Sequence, residues 1–414
     1  MKKMLFYLAS AVLLAGAVSC TPSGLQEEKD NPYKALSLTT KQSTYVDSGN
    51  SFSFNLLKEV EAASGKDYVI SPLSLQFLLG MILDGAKGAT ADEICNVLGY
   101  GSGETGQVNE YCLSMLKQLP ELDKQTKLHI ANAIYVDDGW PLLDTYKSDV
   151  AKYYEAAVAN LDFSKTKESA ATINKWCSDN TEGLIKKVLE ETSPDMLAYL
   201  LNALYFKSQW SCKFDKNLTG EEDFYNADGS KAGRVKMMRT ERTMDYKSAK
   251  SFRAVRLPYG NGAYSMTVLL PKDGFGASAI TEELASTDWN VLNNSFYGCM
   301  VDLWLPKFET TFKIKLNDIL SQMGMPSAFN GKTADFSAMS AFALCLSFVN
   351  QDAVIKVDEE GTEAAAISSA GMMKNTAVGP PEETIVFHAD RPFIYLITEK
   401  STGAVLFAGR YSGK

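Results

Sequence analysis

The segment VDEEGTEAAAISSAGMMKNTAVGPPEETIVFHADR, residues 357–391, decides how the rest of this chain is interpreted. It separates two apolar segments and is far longer than an ordinary connection, because structureless loops beyond about 12–15 residues are uncommon in compact domains. Loops of such length usually either carry function or are disordered. Its composition separates these two possibilities.

The first half of the segment has the composition of a strand that can enter a packed interior. Residues 361–370 carry almost only small side chains, and every second residue from Thr362 to Ala370 is Thr, Ala or Ser. Alternate residues of a strand share one face, so nothing bulky would oppose their burial. Gly361 allows a change of chain direction, and the acids Glu359 and Glu360 precede it. Residues 371–379, GMMKNTAVG, then predict an exposed bait for a protease.

The sequence EEGTEAAA at residues 359–366 resembles, at every position, the hinge of the reactive-centre loop of a serpin. Other landmarks of that family follow in order from about Tyr45 to Tyr411. The resemblance implies an α+β serpin fold in one domain, residues 39–414, with a large mixed central β-sheet, further sheets, about eight or nine helices and an exposed reactive-centre loop at about 359–386. The implied hinge residues are Glu359, Glu360, Gly361, Thr362, Glu363, Ala364, Ala365 and Ala366, and further matches are ISPLS at 70–74, LPKF at 305–308, DRPF at 390–393 and LFAGR at 406–410.

The composition of the loop already suggests a reaction in which a protease cleaves the bait and the freed N-terminal half adds to a sheet as a strand. The serpin resemblance implies that the protease forms its acyl-enzyme, that the loop inserts before deacylation, and that the protease is carried to the far pole. The implied partner is a serine protease, with a cysteine protease as the alternative, held in a covalent complex by a monomeric inhibitor.

The resemblance also implies where the sheet opens. It places Ser71, Ser74 and Asn202 in the opening region and Trp210 near the top, where insertion begins. Gln351 stands where a histidine is usual in this hydrogen-bonded cluster. An amide both donates and accepts hydrogen bonds, so opening should persist while the pH sensitivity of an imidazole should be lost.

The sequence allows more than one position for the peptide bond that the protease cleaves. The usual loop length of the family, counted from the hinge, implies the bond between Asn375 and Thr376. One residue earlier, the bond after Lys374 suits a trypsin-like pocket with a buried acid, and Met372 or Met373 suits elastase-like or subtilisin-like enzymes. The loop beyond the bond is longer than in many relatives, which leaves the register open.

The first residues of the chain are predicted to be a targeting segment. Two lysines, an apolar run over residues 4–18 and then Ser19 and Cys20 predict a signal peptide over residues 1–19. A cysteine at this place resembles the lipobox of bacterial lipoproteins. That resemblance implies a lipidated Cys20, a flexible tether over residues 20–38, and an exported outer-membrane lipoprotein at the cell surface or otherwise extracellular. Ordinary secretion with a chance cysteine is the alternative.

The overall composition excludes several classes of function. The chain has 414 residues, 45% of them hydrophobic and 22% charged, which is the composition of a globular protein. Its net charge of −9 argues against a nucleic-acid partner, which requires a basic face. Beyond the signal peptide, no run of about 18 apolar residues predicts a membrane span, so the lipid is the only expected membrane contact.

No motif in the chain indicates catalysis or a cofactor. The only histidines, His129 and His388, are both expected to be structural. The sequence GSGETG at residues 101–106 satisfies G-x-G-x-x-G, but a predicted helix precedes it where a dinucleotide site requires a strand. The six cysteines after Cys20 form no C-x-x-C pair, so we expect buried free thiols, although export permits disulfides.

The leading interpretation is therefore a non-enzymatic, irreversible suicide-substrate inhibitor of serine proteases. The alternative is a serpin fold without inhibition, serving as a binding module or as a mere protease substrate. Bulky, charged or proline residues at the alternate positions from Thr362 to Ser368 would favour that alternative, and these positions carry none. A surface hydrolase or a glycan-binding lipoprotein would need a catalytic or aromatic-platform signature that the sequence lacks.

Overall fold

The computed structural model describes residues 30–362 and 384–413. The predicted signal peptide and most of the predicted reactive-centre loop lie outside these residues. The predictions that fall there concern Cys20, Glu363, Ala364, Ala365, Ala366, Met372, Met373, Lys374, Asn375 and Thr376.

The described residues form nine α-helices, within the expected number. Helix α2 (Pro72–Asp84) is buried on all sides, with twelve of its thirteen residues buried, because its sequence is mostly apolar on every face. It begins at Pro72 behind the N-cap Ser71, whose side chain accepts a hydrogen bond from the backbone of Ser74. The helices are α1 (Thr40–Ser64), α2 (Pro72–Asp84), α3 (Gly88–Leu98), α4 (Thr105–Gln118), α5 (Asp144–Tyr153), α6 (Thr166–Asn180), α7 (Ala277–Ser286), α8 (Trp289–Asn293) and α9 (Asn317–Met323).

Fifteen β-strands among the described residues form two sheets. The strands are β1 (Tyr68–Ile70), β2 (Lys127–Asp137), β3 (Ala157–Leu161), β4 (Ala198–Gln209), β5 (Gly220–Tyr225), β6 (Lys231–Ser248), β7 (Phe252–Tyr259), β8 (Tyr264–Pro271), β9 (Tyr297–Pro306), β10 (Phe308–Lys315), β11 (Asn350–Val357), β12 (Gly361–Thr362), β13 (Ile385–His388), β14 (Phe393–Glu399) and β15 (Val405–Tyr411).

The larger sheet has nine strands in the order β1-β15-β14-β8-β7-β6-β9-β13, with β5 paired to β6. Its strands β14 and β15 are almost wholly buried in the main hydrophobic core. The smaller sheet has six strands in the order β10-β11-β12-β4-β2-β3. It is mixed, because β2 and β3 run parallel while its other pairs are antiparallel.

The two-residue strand β12 lies between β11 and β4. Thr362 is opposite Val357 of β11 and Ser208 of β4. In the part of the chain that the structure describes, β11 and β4 form no ladder with each other. We call the end of the six-stranded sheet that holds β12 the hinge end. The opposite end, where β4 and β11 begin and β2 ends, is called the far end.

Residues 30–38 lie against the body of the protein, although the sequence predicted a flexible tether up to residue 38. Asn31 donates a hydrogen bond of 2.6 Å to Asp123, and the backbone N–H of Leu36 donates to Ser401. The buried carboxylate of Asp123 accepts a further bond of 2.6 Å from Thr126, whose hydroxyl is 2.6 Å from that of Ser208. Polar contacts thus connect the N-terminal segment to the hinge end of the sheet.

The cysteines agree only in part with the predicted buried free thiols. None of the six in the described residues forms a disulfide. Cys95, Cys112 and Cys177 are buried, whereas Cys212 and Cys345 are exposed and Cys299 is partly exposed. The exposed pair lies in irregular segments, where neighbouring apolar residues do not indicate burial.

None of the helices in residues 30–362 and 384–413 has the length and apolar composition to cross a membrane.

Candidate functional site

The backbone at Gly361 passes too close to β4 for any other residue. A Cβ atom at Gly361 would lie 2.1 Å from the carbonyl oxygen of Ser208, which is backbone and cannot give way. The next residue, Thr362, is buried, and its hydroxyl is 2.6 Å from that of Tyr259. The hinge therefore enters the sheet at its glycine, and both residues of β12 are small.

An aromatic platform supports this entry point. Trp210 stacks on Tyr259 with ring centroids 4.4 Å apart and an interplanar angle of 12°. The indole N–H of Trp210 donates to the carbonyl of Asp358 at 2.8 Å, and its backbone N–H donates to that of Glu360 at 2.9 Å. Burial raises the pKa of Tyr259, so its hydroxyl stays neutral and able to hydrogen-bond Thr362. Trp210, which the resemblance places where insertion begins, thus contacts the backbone of the hinge at Asp358 and Glu360.

Glu359 holds the hinge to the connection between β9 and β10 and to the segment beyond β4. Its buried carboxylate accepts 2.6 Å and 2.9 Å hydrogen bonds from Lys307 and Thr219. Burial by itself raises the pKa of Glu359, but hydrogen bonds from Lys307, from its own backbone and from Thr219 outweigh burial, so that the pKa lies below its usual value. The carboxylate is therefore ionised at neutral pH.

Glu360 is held by two lysines of the segment that follows Trp210. The ammonium groups of Lys213 and Lys216 each lie 2.7 Å from its carboxylate. Hydrogen bonds from these lysines lower the pKa of Glu360. With Glu359, this pair forms a charged clamp, by which we mean Glu359 and Glu360 with Lys307, Lys213 and Lys216. The clamp fixes the chain immediately before Gly361.

We expect the charged clamp to make the stability of the protein depend on pH. Because the folded-state pKa values of Glu359 and Glu360 are lowered, their contribution is complete above the unfolded pKa near 4.5 and is lost as the pH falls through the folded values. The double variant Glu359→Gln/Glu360→Gln should lose roughly 2 kcal/mol of unfolding free energy at pH 7, the scale of charged hydrogen bonds. Thermal melting between pH 7 and pH 3 measures this, and the difference from wild type should shrink towards pH 3.

The control for this experiment is Glu221→Gln. Glu221 pairs with Lys236 at 3.1 Å, but both side chains are largely exposed, so the pair should contribute little. Melting curves of Glu221→Gln should follow those of wild type at every pH. If the double variant also follows wild type, the clamp does not stabilise the native hinge.

A second polar cluster lies under the six-stranded sheet, at the N-terminus of α2. The amide of Gln351 accepts a hydrogen bond from the backbone N–H of Ser71 at 3.0 Å and donates to its carbonyl at 2.8 Å. The hydroxyl of Ser71 donates to the carbonyl of Leu406, and that of Ser74 donates to Asn202 on β4. The same helix end therefore holds β11 through Gln351 and β4 through Asn202, on either side of the place where a new strand would enter.

The cluster continues through residues that sequence reasoning did not identify. Asn202 donates to Asn132 on β2 at 2.7 Å, and Asn132 donates to the carbonyl of Tyr154 at 2.6 Å. Asn132 is a polar residue inside the apolar run LHIANAIYV at 128–136. This interruption is a signal by which the sequence could have indicated a buried polar contact. The lysines of the charged clamp, by contrast, give no local signal, since they are 52 to 147 residues away from their acids.

A narrow pocket opens beside Thr362, between β11 and β4. Most of its wall is apolar, and its floor comes from β14 and β15 of the nine-stranded sheet. Such a wall accepts small side chains and disfavours a charge. The lining residues are Leu184, Phe206, Val354, Ile355, Lys356, Thr362, Ile397 and Phe407.

The two histidines lie on different sheets. His129, on β2, has a ring nitrogen 2.9 Å from the side-chain oxygen of Asn180. His388, on β13, packs against Trp304 with centroids 5.1 Å apart, and its Nδ1 is 3.9 Å from Asp390. Among the described residues, no group of three His, Cys, Asp or Glu side chains is placed to hold a metal ion.

Comparison with known proteins places this architecture in a family. A family model described as serpin (serine protease inhibitor) matches residues 47–413. An uncharacterized serpin-like protein of Methanosarcina mazei is 32% identical over 369 residues, which cover 87% of this chain and 85% of that protein. Serpin-ZX of Arabidopsis thaliana is 34% identical over 381 residues, which cover 87% of this chain and 96% of that protein. The chain belongs to the serpin family.

Solved structures agree with this assignment. Tengpin, a thermophilic serpin in the native state, is matched with a TM-score of 0.80 and 28% identity, covering 93% of this chain and 97% of tengpin. Thyroxine-binding globulin in complex with thyroxine is matched with a TM-score of 0.76 and 26% identity, covering 88% and 98% of the two chains. The predicted α+β serpin fold is confirmed. Membership supports a function of the protease-inhibitor type in general, in a family whose members are non-catalytic inhibitors or binders.

Proposed function

We propose that this chain is an irreversible inhibitor of serine proteases that uses residues 359–386 as its reactive-centre loop. The observation that carries the proposal is the position of Thr362, buried between β11 and β4, which form no ladder with each other in the described part of the chain. A strand has therefore begun at the hinge end, between β11 and β4.

The proposed reaction begins with attack of the protease serine hydroxyl on the carbonyl of Asn375. The peptide bond to Thr376 breaks, the amine of Thr376 leaves with a proton, and Asn375 remains joined to the protease through an ester. Residues after Thr362 then add one by one between β11 and β4, with hydrogen bonds to both. Inhibition succeeds if this insertion is complete before water hydrolyses the ester.

The site favours insertion in two ways. The charged clamp fixes the chain before Gly361, so that the released segment pivots about one point rather than leaving the sheet. The pocket beside Thr362 is apolar and narrow, which suits the alternate Ala and Ser side chains of the loop. A non-inhibitory binding role is the second candidate, because thyroxine-binding globulin has the same fold.

Incubation with a panel of serine proteases, and with cysteine proteases as a second group, tests the proposal. An inhibitor gives a covalent complex that survives a denaturing gel, whereas a binding module or substrate gives only cleaved chain. Sequencing of the released C-terminal peptide should begin at Thr376, or at Asn375 if the bond after Lys374 is cleaved. Cleavage by every protease without any covalent complex would refute inhibition.

We also propose that Cys20 is lipidated and anchors the protein to a bacterial outer membrane, with the serpin domain exposed outside. The support is the order of charged, apolar and small residues up to Ser19 and Cys20. Cys20→Ala should move the protein from the membrane fraction to the soluble fraction and abolish labelling by a radioactive fatty acid. Cys345→Ala, which removes an exposed cysteine of the body, is the control and should stay in the membrane fraction. Unchanged fractionation of Cys20→Ala would refute the anchor.

A further inference from the structure

One half of the six-stranded sheet is tied to helix α2 by polar contacts. Strands β4, β2 and β3 are paired with one another, and α5 leads directly into β3. The C-cap of α5 is Tyr154, whose carbonyl accepts the hydrogen bond from Asn132 on β2. We call β2, β3, β4 and α5 with its C-cap the movable half. A strand that grows from the hinge end towards the far end must part this half from β11, which α2 holds through Gln351.

The contacts between α2 and the movable half lie near the two ends of the helix. Near its start, Ser74 donates a hydrogen bond to Asn202 on β4. Near its end, the hydroxyl of Tyr154 donates to Asn109 on α4 at 2.8 Å, and the amide of Asn109 donates at 2.6 Å to Asp84, the last residue of α2. Widening the gap between β4 and β11 therefore strains both contacts.

The ring of Tyr154 fits closely against α2. Tyr154 is fully buried, and so is the amide side chain of Asn109 that it contacts. A Cβ atom at Gly80, in the middle of α2, would lie 2.6 Å from the hydroxyl of Tyr154. Burial raises the pKa of Tyr154, so that the hydroxyl keeps its proton and donates. A steric fit and a hydrogen bond thus fix this side chain together.

The contact ends on a carboxylate whose charge is disfavoured. Burial raises the pKa of Asp84, the hydrogen bond from Asn109 lowers it, and the charge of Asp149 on α5 raises it, so that the net shift is upward. The phenols of Tyr146 and Tyr154 also face Asp84, and burial keeps both of them neutral. The closed sheet therefore holds an ionised Asp84 at a cost that contact with water would relieve.

We infer that Asp84 is a positioning residue for strand insertion, an inference that rests on the proposed function. Its ionised carboxylate weakens the hold of α2 and α4 on Tyr154, and thereby on the movable half. Release of Tyr154 admits water to Asp84, so opening is favoured when the carboxylate is charged. The closed sheet gains most from Asp84 below the ordinary pKa of 3.8, and this gain is lost as the pH rises through the higher folded value.

The test compares Asp84→Asn with wild type. The amide has nearly the same shape, carries no charge and still accepts the hydrogen bond from Asn109, so the variant should melt at a higher temperature at pH 7.5. Insertion is followed by tryptophan fluorescence after rapid mixing with excess protease. It should be about three-fold to ten-fold slower in the variant at that pH, the scale of one hydrogen bond. Both differences should shrink towards pH 4, as Asp84 of the wild type takes up its proton.

Two further variants separate the charge of Asp84 from a general effect on α5. Asp144 also lies on α5, but its side chain is 96% exposed, so Asp144→Asn should match wild type in both measurements. Tyr154→Phe removes the hydroxyl through which the contact runs. Adding Asp84→Asn to that variant should therefore slow insertion no further, as a double-mutant cycle requires for residues that act through one contact.

Three results would overturn the inference while leaving the proposed function intact. They are equal insertion rates for Asp84→Asn and wild type, a slowing that is the same at every pH, and an undiminished effect of Asp84→Asn in the Tyr154→Phe protein. If cleaved wild type gains no thermal stability, no strand inserts, and the proposed function fails together with this inference.

Discussion

Thr362→Arg is expected to turn the proposed inhibitor into a substrate. Thr362 is 3% exposed, its hydroxyl is within 2.6 Å of that of Tyr259, and it borders the apolar pocket between β11 and β4. An arginine there would require a charge to be buried without a partner, at a cost of several kcal/mol. Insertion should slow while attack on the loop continues, so that the protease deacylates and escapes.

The measurement for this variant is the number of inhibitor molecules consumed per protease inactivated. A barrier raised by about 1.4 kcal/mol or more in the insertion step alone slows insertion about ten-fold or more. The number is one plus the ratio of the hydrolysis rate to the insertion rate, so its excess over one should rise at least ~10-fold. Thr362→Ser keeps a small hydroxyl side chain at the position and should behave as wild type does. The cleaved bond should be the same in all three proteins. Thr362→Arg forming the gel-stable complex as efficiently as wild type would rule out the insertion mechanism.

Cleavage within residues 372–376 is expected to raise the melting temperature sharply. The freed segment then becomes a strand between β11 and β4, with hydrogen bonds on both sides along most of the sheet. About ten such bonds at ~1 kcal/mol net each, and about 2 °C per kcal/mol for a large domain, predict a rise of more than about 10 °C. Calorimetry of intact and cleaved protein measures the rise.

The Thr362→Arg variant supplies the control for the cleavage experiment. Its loop should be cut at the same bond, but the cleaved variant should melt close to the intact protein because its strand enters poorly. An unchanged melting temperature in cleaved wild type would mean that no insertion takes place. A rise in the cleaved variant as large as in wild type would mean that Thr362 does not control entry.

The fold and the hinge are predictable from the sequence because their signals are local. The hinge residues EEGTEAAA are contiguous in the sequence. Their glycine, Gly361, is required because a Cβ atom at this position would clash with the carbonyl oxygen of Ser208. The capacity of Gln351 to donate and accept at once is likewise a property of the residue alone. Its partner Ser71 is another residue that the resemblance names for the same cluster.

Other features of the site depend on contacts between distant segments. The lysines that hold Glu359 and Glu360 stand in segments of ordinary composition, so nothing near them indicates their partners. The contacts of Asn109 with Tyr154 and Asp84 join residues 45 and 25 positions apart on different helices, so no local periodicity indicates them. The attachment of residues 30–38 was missed for the same reason, because Asp123, the partner of Asn31, is 92 residues away.

If Cys20 is lipidated, the attachment of Asn31 would influence the direction in which a captured protease travels relative to the membrane. If Cys20 carries the lipid, as we propose, the eleven residues from there to Asn31 span at most about 40 Å, even fully stretched. Asn31 is linked through Asp123 and Thr126 to Ser208, which faces the hinge. The loop would thus operate close to the bilayer, and the twelve residues of β4 lead roughly 40 Å away from it. With such an anchor, each capture would carry the protease away from the bilayer irreversibly.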